Sequence, residues 1–595
     1  MVKKRKLLFC SSLILIVIMF SGSMLTRIHA TETMTNNVPQ VVQSDKSEWF
    51  WPAVEVLTQT TDDSFGEDIF IDDDNNVHFV FNDDTNDLDD SGTDRDIFYM
   101  RWDFETKIWS DPETVSTEST GSSERPAIAV DNNGNVHVAW RDYSDILSSG
   151  TDIDVFYKRK TSSGSWTSSE LVSTASTVNI QDVSIAVDSQ GNPTIAWADA
   201  TDYAGAGGDY DILYNTLTIS TSTWLGMTLV SSESGGNSYA PDVFVDESGD
   251  IHFTWYDYTG YAGCGPDTDI FYKKFLISEI DWSDLAILSS ESDGDSEHPS
   301  ICIDNRGLIH VTWADDTNYT GVGVDPDIFY KYYDPQLSSW SMTEVISIES
   351  TSAALYTTIA VDKEGTVHVT WEDNTHYPGS GQFDYDIIYK YRNTPSDDWS
   401  ALAIVSNEMT GGSYLPVIAV DGLGHIHIVW YDITNYNGAG FDYDVFYRKF
   451  VGPPEDTTLY PISPNSSLPG NITINWEESF GAENYNIYRD QSYILSTSSL
   501  TPIASVTTNT FVDDLNASGT FYYSVIAGNY ISDSGLSNIE SVEILSPEVQ
   551  NGFFGDFNWG EIVVIAGIVG AIQIILTVSM VVLLKPGSKP TKKKK

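Results

Sequence analysis

Val130-Asp131-Asn132-Asn133-Gly134-Asn135-Val136-His137-Val138-Ala139-Trp140-Arg141-Asp142 is one copy of a phrase that runs through most of this chain. Its leading Asp recurs at Asp72, Asp131, Asp188, Asp246, Asp304, Asp362 and Asp421, at intervals of 57 to 59 residues. Seven copies at nearly constant spacing mean an array of one supersecondary unit. Each unit holds four short runs rich in β-branched and aromatic residues; in the fourth copy they are 224–230, 241–246, 251–255 and 269–275. Alternation, Gly-containing turns and the lack of a 3.6-residue period mark all four as strands. The expectation is an all-β chain whose residues 50–451 form a seven-bladed β-propeller. The small-residue run (Ile128-Ala129-Val130, Ile359-Ala360-Val361) suits the innermost strand and the Trp-initiated run the outer edge. The last copy stops at Val445-Phe446-Tyr447 without a Trp run, while an extra one, 51–57, precedes the first copy. A strand from the N-terminal side would therefore complete the seventh unit and remove its open edges.

These repeats resemble those of sialidase-like and Asp-box-like propellers in secreted microbial proteins, over roughly residues 50 to 450. The resemblance implies architecture. A sialidase also holds its substrate carboxylate with an arginine cluster and uses a Tyr/Glu pair. No such constellation can be assigned from the order of Arg95, Arg101, Arg125, Arg141, Arg159, Arg306, Arg392 and Arg448 along the chain.

Composition breaks at Gly452-Pro453-Pro454, and 472–476, 485–488, 511–515 and 520–525 then alternate as strands of a sandwich. Residues 452–546 resemble a fibronectin type III domain. Trp476 matches its core Trp, and the tyrosine-corner position falls on Phe521, with Tyr522 or Tyr523 as shifted candidates.

The ends point to a membrane. Lys3-Lys4-Arg5-Lys6 precedes an apolar run, so residues 1–30 read as a signal peptide, with an uncleaved anchor as the alternative. Residues 31–49 and 547–561 are linkers. Residues 562–584 are uncharged and long enough to span a bilayer, and the basic tail 585–595 belongs on the cytoplasmic side. Removing the five basic residues before residue 31 and the six after residue 584 leaves 19 Lys and Arg against 86 Asp and Glu, a formal charge of −67. That excludes a nucleic-acid partner, which needs a basic face. Cys264 and Cys302 fall in different repeats and are not expected to form a disulfide. Asn318, Asn465, Asn471 and Asn516 head glycosylation sequons.

Six histidines (His78, His137, His252, His310, His368, His427) share one repeat position. One per unit separates them around a ring, whereas a metal needs ligands converging on a point, so they read as hydrogen-bonded structural residues. Trp140, Trp197, Trp255, Trp313, Trp371 and Trp430 read as core for the same reason. The long turns after the His-x-x-Trp strand form an acidic, Tyr-studded rim. Clustered carboxylates there suit Ca2+, and Asp83, Asp84, Asp87, Asp89, Asp90, Asp94 and Asp96 are the densest set. Carboxylates that only cap turns are the competing reading. Two departures from the repeat, Phe81 for Trp and Thr194 for His, create no catalytic triad. The first expectation for function is a non-catalytic binding or adhesion module on a membrane-anchored stalk, taking an extracellular glycan or protein ligand, with calcium as a possible cofactor. The alternatives are an ectoenzyme acting on glycans, hydrolase or lyase, and a structural component of the cell surface.

Overall fold

The computed structural model describes residues 51–545, apart from 86–93, 262–264, 266, 320, 379–383, 453, 455, 480 and 530–532. The signal-peptide run, the apolar run 562–584, and Asp87, Asp89, Asp90 and Cys264 lie outside the described residues. Among those described, every regular element is a strand, and no helix is long and apolar enough to cross a membrane.

Each sheet is antiparallel and takes three strands from one repeat and its outer strand from a Trp-initiated run that belongs to another copy. In the second, the order from the inside outwards is Ser123–Val130, Val136–Asp142, Asp154–Lys160 and Glu170–Leu171. The inner strands of the other sheets are Ser64–Ile71, Ile180–Val187, Ser238–Val245, Ser296–Ile303, Ala354–Val361 and Ser413–Val420. Each packs against the inner strands on either side, and Ser413–Val420 packs against Ser64–Ile71, so the contacts run in a closed cycle. The architecture is propeller-like. Ala129, Ala186, Ala360 and Ala419 share an inner-strand position that Phe70 and Phe244 occupy in the first and fourth sheets, so the position packs into the core without requiring a small side chain.

The repeated phrase builds the core of each sheet. Trp140, Trp197, Trp255, Trp313 and Trp371 are buried, and each donates its ring N–H to the Asp two residues on at 2.9–3.1 Å, which satisfies the polar edge of the indole. His78, His137, His252, His310, His368 and His427 each meet a Tyr hydroxyl of the neighbouring strand through Nδ1 at 2.7–2.9 Å. Their Nε2 atoms face the leading Asp of the same repeat, so the histidines sit within sheets rather than between them. In the third copy Thr194 bonds Thr216 instead, at 2.9 Å. Between sheets the link is a buried cation: Lys158, Lys273, Lys331, Lys390 and Arg448 each donate to a carbonyl oxygen of the preceding sheet (Val115, Val230, Leu288, Ile346, Val405).

Two strand boundaries differ from the expectation. The Trp-initiated run 224–230 is split into Thr223–Trp224 and Thr228–Leu229, both paired to Asp211–Thr218, because Gly226 turns the chain between them with φ of 103°. The fourth inner strand starts at Ser238 rather than Pro241; a β-bulge lets it continue through the proline.

Glu55–Val56 pairs antiparallel with Asp444–Phe450, so the outer strand of the last sheet comes from the other end of the array. Deleting residues up to 57 is expected to leave Asp444–Phe450 as an open edge, lowering the melting temperature and producing oligomers on size-exclusion chromatography. A monomer with unchanged melting would contradict this role.

Beyond residue 452 the strands form a separate pair of sheets around Trp476, Tyr485, Leu515 and Tyr523. Phe521 is buried without a hydroxyl to offer; Tyr523 takes the hydrogen-bonding role, donating to Asp513 Oδ2 at 2.7 Å. Lys107 reaches Glu483 of this region at 2.9 Å.

Candidate functional site

The loops preceding each inner strand meet the turns following each second strand at one end of the sheets. Ser234 and Ser292 donate to Asp257 and Asp315, each at 3.0 Å, across this junction. The register then places an Asp ending each second strand opposite an Asp beginning each third: Asp83 with Asp96, Asp142 with Asp154, Asp199 with Asp211, and Asp432 with Asp444. All eight are buried. Burial pushes Asp154, Asp211 and Asp444 up to about 7 and Asp96 up to about 6, with neighbouring carboxylates adding to the effect. Of the residues expected to hold calcium, Asp83 accepts from Ser64 and Thr85, Asp84 pairs with Arg95 at 3.3 Å, and Asp96 accepts from Ser116 at 2.5 Å. Asp94 lies beside Asp96. Among the described residues no group of three or more His, Cys, Asp or Glu side chains is placed to hold a metal ion. Cys302 is buried with a free thiol.

Two residues inside this end, every inner strand opens onto a central cavity of about 600 Å3 lined from all seven sheets. The residue at its mouth lies six positions before the leading Asp of each repeat, and it differs in every copy: Gly66, Arg125, Asp182, Ala240, His298, Tyr356, Leu415. All six non-glycine members are left-handed, with φ between 38° and 52°. Such a backbone costs about 1 kcal/mol or more for each residue with a Cβ. The inner strand bulges there, which re-aims the side chain. The strained conformation is common to these copies and belongs to the repeat; what varies from sheet to sheet is the side chain it presents to the cavity.

The mouth divides into arcs. On the first three sheets, Arg125 faces Asp182 at 3.5 Å, Arg141 holds Glu124 at 2.6 Å and Gln181 at 3.1 Å, and Arg95 holds Glu124 at 3.4 Å. Arg95, Arg125 and Arg141 line one cleft of about 210 Å3. These arginines are distant in sequence, and the fold brings them to one cleft, each paired with a carboxylate. On the fifth and sixth sheets, the His298 ring lies 4.4 Å from Tyr356 and 5.5 Å from Tyr256 of the fourth. Burial holds His298 neutral, pushed down to about 4, and pushes the Tyr256 and Tyr356 hydroxyls up. Glu372, pushed up to about 7 by burial, accepts from the Leu415 amide at 2.8 Å and steadies the mouth residue of the seventh sheet. A neutral imidazole can take a proton, a phenol can give one, and arginines can hold an anion.

No family model matches the sequence, and no curated protein matches it. Among solved structures, a polysaccharide lyase, Uly1, aligns at TM-score 0.43 and 10% identity over 65% of this chain and 90% of its own. A fungal alcohol oxidase in complex with copper aligns at TM-score 0.44 and 12% identity over 84% of this chain and 100% of its own. The NanB sialidase from Streptococcus pneumoniae aligns at TM-score 0.36 and 13% identity over 67% of this chain and 70% of its own. Likeness at this level assigns no activity here, and the functional reading rests on the mouth itself.

Proposed function

We propose that this protein is a membrane-anchored ectoenzyme that cleaves an acidic glycan at the mouth of a seven-bladed propeller, carried on a fibronectin type III-like domain. The observation that carries the reading is Arg125, which shares the central cavity with His298 and Tyr356 on the same strained backbone position and joins Arg95 and Arg141 in the adjoining cleft, in a ring otherwise built from near-identical repeats. Arg95, Arg125 and Arg141 bind the sugar carboxylate and draw charge away from it, which acidifies the adjacent C–H. His298 accepts that proton, the carbon–oxygen bond β to the carboxylate breaks, and Tyr256 or Tyr356 gives the leaving oxygen its proton. The products are a shorter chain and an unsaturated sugar, with no co-reactant. Against a strongly acidic rim, these paired arginines are what makes an anionic ligand acceptable.

The test is ultraviolet detection of unsaturated products from hyaluronan, alginate, polygalacturonate and chondroitin sulfate, with wild type and Arg141→Ala. Product from at least one polymer, with KM raised about tenfold or more in the variant, is expected. Binding without any turnover would return the protein to the non-catalytic binding module, and no binding at all would remove the site.

A further inference from the structure

Three tyrosines of the mouth occur in duplicate. Tyr239, second in its inner strand, packs 5.7 Å from Tyr256 and 5.0 Å from Tyr210. At the equivalent positions 175 residues on, Tyr414 packs 5.6 Å from Tyr431 and 5.5 Å from Tyr385. The other five sheets carry no such pair at the Tyr239 and Tyr256 positions, where they have Phe65 with Asn82, Glu124 with Arg141, Gln181 with Ala198, Glu297 with Ala314 and Leu355 with Glu372. All six tyrosines are partly exposed, and they belong to the end of the sheets at which the cavity opens.

Their placement follows from the order of the sheets around the cycle. One cluster centres on the fourth sheet and the other on the seventh. The sheets between them in one direction carry His298 and Tyr356, and those in the other direction carry the three arginines. Where the clusters stand, the left-handed mouth position holds Ala240 and Leu415, which bring no charge into the path. Aromatic faces at both ends, an anion holder on one flank and proton-transfer groups on the other describe a track rather than a socket.

We infer that the mouth takes an extended sugar chain laid across it, from the Tyr239 cluster to the Tyr414 cluster, so that cleavage falls inside the polymer and not at its end. This rests on the glycan reading above and adds the class of substrate, a polysaccharide bound over several sugars. Sugar rings stack on phenol faces, and the two platforms contribute only when one chain reaches both.

The experiment uses the full-length protein in detergent with hyaluronan and polygalacturonate, each as intact polymer and as size-defined oligomers from disaccharide upwards. Affinity is expected to climb with length and then level off. Tyr414→Ala and Tyr258→Ala are each expected to weaken polymer binding about tenfold and leave disaccharide binding unchanged. Tyr258 is 47% exposed and packs against Tyr239, so its removal tests the platform without a cost to folding; melting temperatures check both variants. Early products are expected to be mixed in size. Disaccharide released from the start, with length-independent affinity, overturns the track while leaving the acidic-glycan site standing. No binding of any length overturns both.

Discussion

His298→Gly is expected to lower kcat/KM on the cleaved glycan by about 100-fold or more while the melting temperature stays level or rises. The two halves of this result come from one residue. At φ of 52° a side chain is held against its own backbone preference, and glycine releases about 1 kcal/mol of that strain. The ring contacts with Tyr356 and Tyr256 that are lost offset part of the gain. A residue kept for the scaffold would show the opposite, lower stability with activity intact. Wild-type activity should also fall as the pH is lowered through about 4, where His298 takes up a proton and ceases to be a base. Unchanged turnover in the variant would remove His298 from the reaction.

Thermal stability is expected to fall steeply between pH 6 and pH 8. A carboxylate whose pKa is raised on folding binds its proton more tightly in the native state. Its contribution is complete at pH values below its unfolded pKa and is lost as pH rises through the folded one. Asp154, Asp211 and Asp444, at about 7, titrate across this window, and each loses about 1.4 kcal/mol between pH 6 and pH 8, on the order of 4 kcal/mol together. Histidines work in the other direction at lower pH. His78, His137, His252 and His310 are held below their usual range by burial, and His427 is pushed down to about 4, so their contribution is present above about pH 6.5 and fades toward 4. Above pH 6.5 the carboxylates are the group of these two that still changes, so melting scans at pH 6.5 and pH 8 follow them. Asp154→Asn combined with Asp211→Asn should cut the difference roughly in half, since Asp444 and Glu372 still titrate near 7; a flat wild-type profile would show the facing pairs to be fully ionised.

Architecture was legible because each repeat states it in full. The spacing of the leading Asp and the alternation of Val136 to Asp142 each report local geometry, and the strands lie where those patterns put them. The site was harder to read because its residues are the ones that break the pattern. Arg125, Asp182, His298 and Tyr356 share no chemistry, so a search for a motif passes over them. Alignment of the seven copies would have exposed the column six residues before each Asp, where no two copies agree. The proline after Arg125, Ala240, His298 and Leu415 concealed it further, since Pro reads as the start of a strand and here lies inside one. Among the rim carboxylates, Asp83 accepts from Ser64 and Thr85 and Asp84 pairs with Arg95, contacts that the density of acidic residues along the run does not show.

The pairing of Glu55–Val56 with the last repeat strand bears on how the chain must be made. Thr58 and Asp444, which bond at 3.2 Å, are 386 residues apart in sequence, so Glu55–Val56, the first strand among the described residues, has no partner until the seventh repeat has followed it. Throughout synthesis the six earlier sheets can assemble against one another in order, but the circle stays open. Closure is then one late, long-range event, slow by the measure that governs such contacts, and the nascent chain depends until then on whatever shields a waiting edge.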